Sequence, residues 1–326
     1  LLVQESYERL EVTRLALDIL EVVQGVSKAM RSAELVRDLD VVNLRIGQGG
    51  ESSGIEERLT ELRGDLLQQL RDLPLDADDP AAADVLQMRD QLIASYEEIA
   101  RESIISRSGM SAQALDSLGS LLNLTAAYAG LPQDFDRNVR QLTELLIATT
   151  PQVTSTLGQG RATGAYSMGL GFLNSDASRE MDELVTLLQK LGTDYQQALD
   201  QSVGATGNAA LQAAAARSRE SIDNASLIFE EDIIIAASLD STWSAFFDRI
   251  TSEVDATYTL KTAIFDYLGA QLDQRLAQNE RAMMVLIVAL LGVGLAIIYL
   301  YAGFYMATRR TLKRLSQQMG QVARGD

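Results

Sequence analysis

The chain has 326 residues, no cysteine, no histidine and only 4 prolines. Without cysteine there is no disulfide scaffold, thiol nucleophile, iron–sulfur cluster or c-type haem attachment. Without histidine there is no Ser-His-Asp triad, no His-ligated zinc and no phosphoacceptor histidine within this stretch. Lys and Arg number 28 against 45 Asp and Glu, a net charge of −17, which argues against a nucleic-acid partner. The remaining carboxylate, hydroxyl, Lys/Arg and backbone chemistry suits a binding module better than an enzyme. Nothing in it points to a metal or a cofactor.

In chain order, the pattern is helical nearly throughout. Average usage would give about 16 prolines in a chain of this length, so very long helices are permitted. Leu10, Leu17, Leu20 and Val23 open an apolar stripe that continues to Val41 and Leu44. A helix over 5–47 would be about 65 Å long at 1.5 Å per residue. The run Gly47-Gln48-Gly49-Gly50 ends it. A second helix is predicted over 54–73, and Pro74 to Pro80 with Asp76, Asp78 and Asp79 forms a break. That acidic cluster lacks the twelve-residue logic of an EF-hand and reads as a solvated loop. A third helix is predicted over 82–107, interrupted at Gly109, with Ser111 capping a short helix to about Ala129.

Pro132 opens the second half. Residues 134–172 read as a long helix that Pro151 either kinks or restarts after Thr150. Ser175 or Asp176 can cap a helix over 177–203, and another covers 208–238. Ile233 to Ile235 is a short strand-like run whose helical flanks argue against a strand. The last stretch, 239–281, carries Leu260, Ile264, Leu268 and Leu272 on one face. Trp243 with Phe246 and Phe247 is expected to anchor the core of a membrane-proximal bundle. The expected fold is all-α and elongated: two bundles stacked end to end and sharing the long helices.

From Ala282 to Thr308 there is no charged residue. A span needs about 20 apolar residues, so these 27 positions can cross a bilayer. Tyr299, Tyr301, Phe304 and Tyr305 cluster where an interfacial aromatic belt would sit. Arg309, Arg310, Lys313 and Arg314 follow, so this end is expected in the cytoplasm. Residues 1–281, with 23 basic against 44 acidic side chains, would then be extracytoplasmic. The division expected is a periplasmic sensor over 1–281, a transmembrane helix over 282–308 and a linker over 309–326. Leu1 to Val3 read as the end of an earlier span, with a mature end after signal cleavage as the alternative.

Leu312, Leu315, Met319 and Val322 are spaced 3, 4 and 3, the a/d seam of a parallel coiled coil. The stretch Thr311 to Asp326, with its closing Gly325-Asp326, resembles the first helix of a HAMP linker. It departs from that pattern near Thr311, where those modules usually carry a proline. The whole chain resembles the N-terminal half of a bacterial methyl-accepting chemotaxis receptor, with an outer segment the size of the helical bimodular sensors. It is less close to the nitrate/nitrite-sensing helical family. That resemblance implies a homodimer embedded in membrane lipid that signals to cytoplasmic proteins. The same front end also serves sensor histidine kinases and diguanylate cyclases, and a non-signalling helical membrane protein is the third alternative.

Two glycine-rich pieces, around Arg45 and around Arg161, echo each other. An arginine fork suits a carboxylate or similar anion. Arg45 with Asn43, and Arg161 with Tyr166 one turn on, are therefore the expected contacts for a small anionic or polar ligand. Taken singly, each arginine is better explained by an ion pair with a neighbouring Asp or Glu, or by facing solvent. Arg31 and Arg37 rank behind them.

Overall fold

The computed structural model describes residues 2–47 and 54–322. Gln48 to Gly50 and Gly325-Asp326 lie outside the described residues, as do the side chains of Leu315 and Val322. The described residues form nine α-helices and no strand. They are α1 (Leu2–Ile46), α2 (Ile55–Arg71), α3 (Ala83–Ile99), α4 (Ile104–Tyr128) and α5 (Arg137–Glu144). They continue with α6 (Thr150–Leu170), α7 (Ser175–Ser202), α8 (Ala209–Phe229) and α9 (Trp243–Val322).

Local chemistry moves several expected boundaries. The break after α3 falls at residues 100–103. Ser103 is extended (φ −66°, ψ 153°) and its hydroxyl accepts from the Ser106 N–H. That cap starts α4 eight residues before Ser111, and Gly109 is simply absorbed into the helix. Ser111 is instead buried in mid-helix, donating to Asp40 at 2.5 Å. Asn174, rather than Ser175 or Asp176, caps α7 by accepting from the Ala177 N–H. Gly171 closes α6 at φ 75°, a left-handed position that disfavours a Cβ.

Pro151 starts a helix and does not make a loop. A π-helical turn, Leu145–Thr149, joins α5 to α6, with Pro151 in the first turn of α6. The wider turn accommodates the missing N–H, and the Thr150 hydroxyl donates to the Leu146 carbonyl. A second π turn, Glu230–Ile234, extends α8 into the isoleucine run, so Ile233 and Ile234 are helical and Ile235 ends the helix.

Two compact units divide the chain. The first is Arg14–Leu272, and one hydrophobic cluster runs through it. On α1, Gly25 faces Leu73, Ser32 donates to Gln69, Asp40 meets Arg63 and Asn43 donates to Glu56. This runs α2 antiparallel to α1. Along nearly the same stretch, Glu34 accepts from Thr154, Asp38 from Arg161, and Ile46 faces Gly169. This runs α6 parallel to α1. Leu20 faces Gly269 and Arg31 pairs with Asp255, so α9 is antiparallel to α1.

These contacts do not divide into two levels. They set α2, α6 and α9 side by side around one length of α1, with α4 joined through Ser111–Asp40 and α7 through Glu180–Arg45. These contacts do not confirm the expected end-to-end bundles; they place the shorter helices beside α1. Trp243 is buried with Phe246 and Phe247, as expected of a core anchor. It packs on Gly169 at the end of α6 and stands 39 residues ahead of the apolar block along the chain.

Helix α6 is the centre of this unit. Most of its residues are buried, and Gly158, Gly160, Gly164 and Gly169 admit neighbours closely. A Cβ on Gly160 would enter the Phe229 ring, and one on Gly164 the Phe246 ring. Interior glycine costs roughly 1 kcal/mol of helix propensity each, and the fit of those two rings offsets that cost.

The second unit comprises Leu1–Thr13 and Asp273–Asp326. Over residues 282–308 of α9 no side chain is buried. This helix is long and apolar enough to cross a membrane. Leu312 and Met319 beyond it are helical and exposed.

Two glycine substitutions separate packing from propensity. Gly164→Ala is expected to destabilise the chain by about 1–3 kcal/mol through overpacking. Gly109→Ala meets open space and is expected to stabilise it by up to about 1 kcal/mol. Urea unfolding followed by circular dichroism measures both, and equal effects would contradict this packing.

Candidate functional site: a cleft beside a buried ion cluster

The apolar stripe of α1 is broken by Glu34, Arg37 and Asp38, at spacings of 3 and 1. That spacing turns all three toward α6 and α9. Asp38, 1% exposed, is the hub. Its Oδ2 accepts from Arg161 Nε at 3.0 Å and Nη2 at 2.5 Å, and its Oδ1 from Arg37 Nε at 2.7 Å. Arg161, also 1% exposed, donates its Nη1 to Thr251 at 3.0 Å and lies 4.7 Å from the Phe247 ring centroid. Glu34 accepts from Thr154 at 2.6 Å and from the Tyr258 hydroxyl at 2.9 Å. Burial first, then the charge of Glu34, holds the Tyr258 hydroxyl well above its ordinary pKa.

Gly158 makes room for the pair. A Cβ there would stand 2.6 Å from Arg37 Nη2 and 2.7 Å from Asp38 Oδ2. Burial alone would lower the pKa of the Arg37 guanidinium, but the charges of Asp38 and Glu34 raise it. Arg37 donates Nη1 to Ser155 at 3.0 Å. Its Nη2, buried and 2.6 Å from Asp38 Oδ1, lacks hydrogen-bond geometry to any partner.

A cleft of about 840 Å³ opens beside this cluster, walled by α1, α4, α6 and α7. Glu34, Arg37, Asp38 and Arg45 line it from α1, with Gln152 and Gln159 from α6. Asp116 and Asn123 face it from α4 and Glu180 from α7. Asp116 is exposed. The volume is that of a small-molecule site. It offers a guanidinium nitrogen with donor capacity to spare, an open carboxylate and several amides.

The four residues expected at the site do not converge. Arg45 lines the cleft, pairs with Glu180 at 3.0 Å and lies 5.4 Å from the Tyr166 ring centroid. Tyr166 touches the site through Arg45, and its hydroxyl accepts from Asn174 at 2.7 Å. Asn43 points to α2, donating to Glu56 at 2.7 Å. Arg161 stands behind the wall, spent on Asp38 and Thr251. Arg37, ranked lower in the sequence, Glu34 and Asp38 are the cleft's buried charges. Their signal was three charges inside an apolar stripe, which marks burial with partners. The loop carboxylates Asp76 and Asp79 accept from the N–H groups of Asp78 and Ala81 and cap turns. Among the described residues no cluster is arranged to hold a metal ion.

The burial difference predicts unequal costs. Arg45→Ala removes an ion pair between two partly exposed side chains and is expected to cost less than about 1 kcal/mol. Arg161→Met leaves Asp38 underpaired and is expected to cost about 3–5 kcal/mol. Thermal unfolding of the two variants checks the ranking.

No protein-family model, curated protein or solved structure matches the chain.

Proposed function

We propose that the chain is the front end of a transmembrane chemoreceptor. In this reading 282–308 crosses the cytoplasmic membrane of a bacterium, with 1–281 outside and 309–326 inside. The exposed apolar face of 282–308 would be an aggregation liability in water and is satisfied by lipid. The basic residues Arg309 to Arg314 hold the following end in the cytoplasm. The seam at Leu312 and Met319 closes against a second copy in a homodimer, as a HAMP-like coiled coil, and passes the signal to cytoplasmic partners.

The observation that carries the sensing role is the 840 Å³ cleft with the buried Arg37 guanidinium in its wall, whose Nη2 is held 2.6 Å from Asp38 Oδ1 without hydrogen-bond geometry. It suits the anionic group of a small polar molecule, with Asp116 placed for an amino or hydroxyl group. The cleft wall is tied to α9 through Arg31–Asp255 at 2.6 Å and Tyr258–Glu34 at 2.9 Å. A ligand that prefers one arrangement of α1 and α6 thereby shifts α9 by its differential affinity for the two states.

Two experiments test this reading. The 326-residue chain in nanodiscs is titrated with small carboxylates and amino acids while its thermal unfolding is followed. At least one is expected to raise Tm by a few degrees at 100-fold excess over Kd, about 2.7 kcal/mol of linkage, and Arg37→Gln is expected to abolish the rise. A flat panel overturns the cleft as a sensor site. The absence of cysteine makes labelling clean for topology. An impermeant maleimide is expected to label Ser178→Cys but not Thr311→Cys from outside intact cells. The opposite pattern overturns the orientation.

A further inference from the structure

Away from the large cleft, a second cavity of about 210 Å³ lies between α1, α2 and α9. Its charged lining is entirely basic: Lys28 and Arg31 from α1, and Lys261 from α9. No Asp or Glu lines it, in a segment whose net charge is −21. Arg31 is engaged with Asp255 through two hydrogen bonds of 2.6 and 2.8 Å.

Lys261 is not so engaged. It is 1% exposed, and its Nζ has no hydrogen-bond partner. It rests 4.5 Å from the Tyr258 ring centroid. A buried ammonium with three unused donors is costly unless something accepts from it. Around it stand Ser27, Ser32, Gln24, Gln69 and Thr262, which add hydroxyl and amide groups. The cavity is roughly seven times the volume that one water occupies in the liquid, enough for an ion of four or five heavy atoms and its residual hydration.

We propose that this cavity is a binding site for a small oxyanion, with the Lys261 ammonium as its anchor and Lys28 at its mouth. The anion supplies the acceptors that Lys261 lacks. It joins α1 to α9 independently of the large cleft. The charged and titratable groups facing Lys261 are Glu34, Lys28 and the Arg31–Asp255 pair from α1 and α9, and Tyr258 on its own helix. Helix α2 contributes the neutral Gln69. Burial lowers the Lys261 ammonium to about 8, and Glu34 raises it only in part. Anion binding is therefore strongest below pH 8 and fades as the ammonium deprotonates above it.

The test uses the 326-residue chain in nanodiscs of zwitterionic lipid. Acetate, sulfate and phosphate are titrated separately at fixed ionic strength while thermal unfolding is followed. At pH 7 at least one is expected to raise Tm saturably by about 2–4 °C. Acetate acting alone would identify a carboxylate site, and sulfate or phosphate a tetrahedral-anion site. Lys261→Met is expected to weaken the effect at least tenfold, whereas Arg37→Gln in the large cleft leaves it intact. In the unsubstituted chain the anion affinity is expected to fall at least about tenfold between pH 7 and pH 9.5, a readout that stands even if Lys261→Met fails to fold. An equal rise in Lys261→Met, an affinity unchanged at pH 9.5, or no saturable rise with any of the three overturns the proposal.

Discussion

The structure of the helices packed over Arg14–Leu272 depends on one buried ion pair, Asp38 with Arg161. Two fully buried charges are tolerable only when their hydrogen bonds are satisfied in place. Arg37 from α1, and Thr251 and the Phe247 ring from α9, do this. The pair can form because α6 carries glycine where α1 and α9 press on it. Register follows: moving α6 by one turn along α1 would strand a carboxylate and a guanidinium in an apolar core. The same cluster walls the cleft and contacts α9, so fold and proposed signal use one set of side chains.

The helices themselves were legible in the sequence, because apolar periodicity and scarce proline are local properties. The apolar block at 282–308 was legible for the same reason. Their ends were less so. Gly109 and Ser111 looked like a break, but Ser103 offered a better cap a few residues earlier, and a single glycine costs a helix only about 1 kcal/mol, too little to end it. The π turn at Leu145–Thr149 was invisible, since a proline after a helix permits a kink, a loop or a wider turn equally well.

Lateral arrangement was not legible. Long helices fit end-to-end bundles and a side-by-side assembly alike, and only contacts such as Asp40–Arg63 beside Asp38–Arg161 decide between them. The site suffered the same limit. Arg45 and Arg161 stood out by their glycine neighbours, but glycine marked close packing. What distinguishes Arg37 is its place in the cleft wall, and what distinguishes Lys261 is an ammonium with no hydrogen-bond partner; no single segment reveals either. Lys261 sat beside Leu260 on the apolar face of α9, and a charge there was the available hint.

The central claim, that the Asp38–Arg161 pair fixes the register of α1 and α6, is tested most directly by a double-mutant cycle. Unfolding free energies would be measured for Asp38→Asn, Arg161→Met and the pair together. The account predicts a coupling of at least about 2 kcal/mol, with the double variant no less stable than the worse single one. Additive costs, with coupling below about 0.5 kcal/mol, would contradict it.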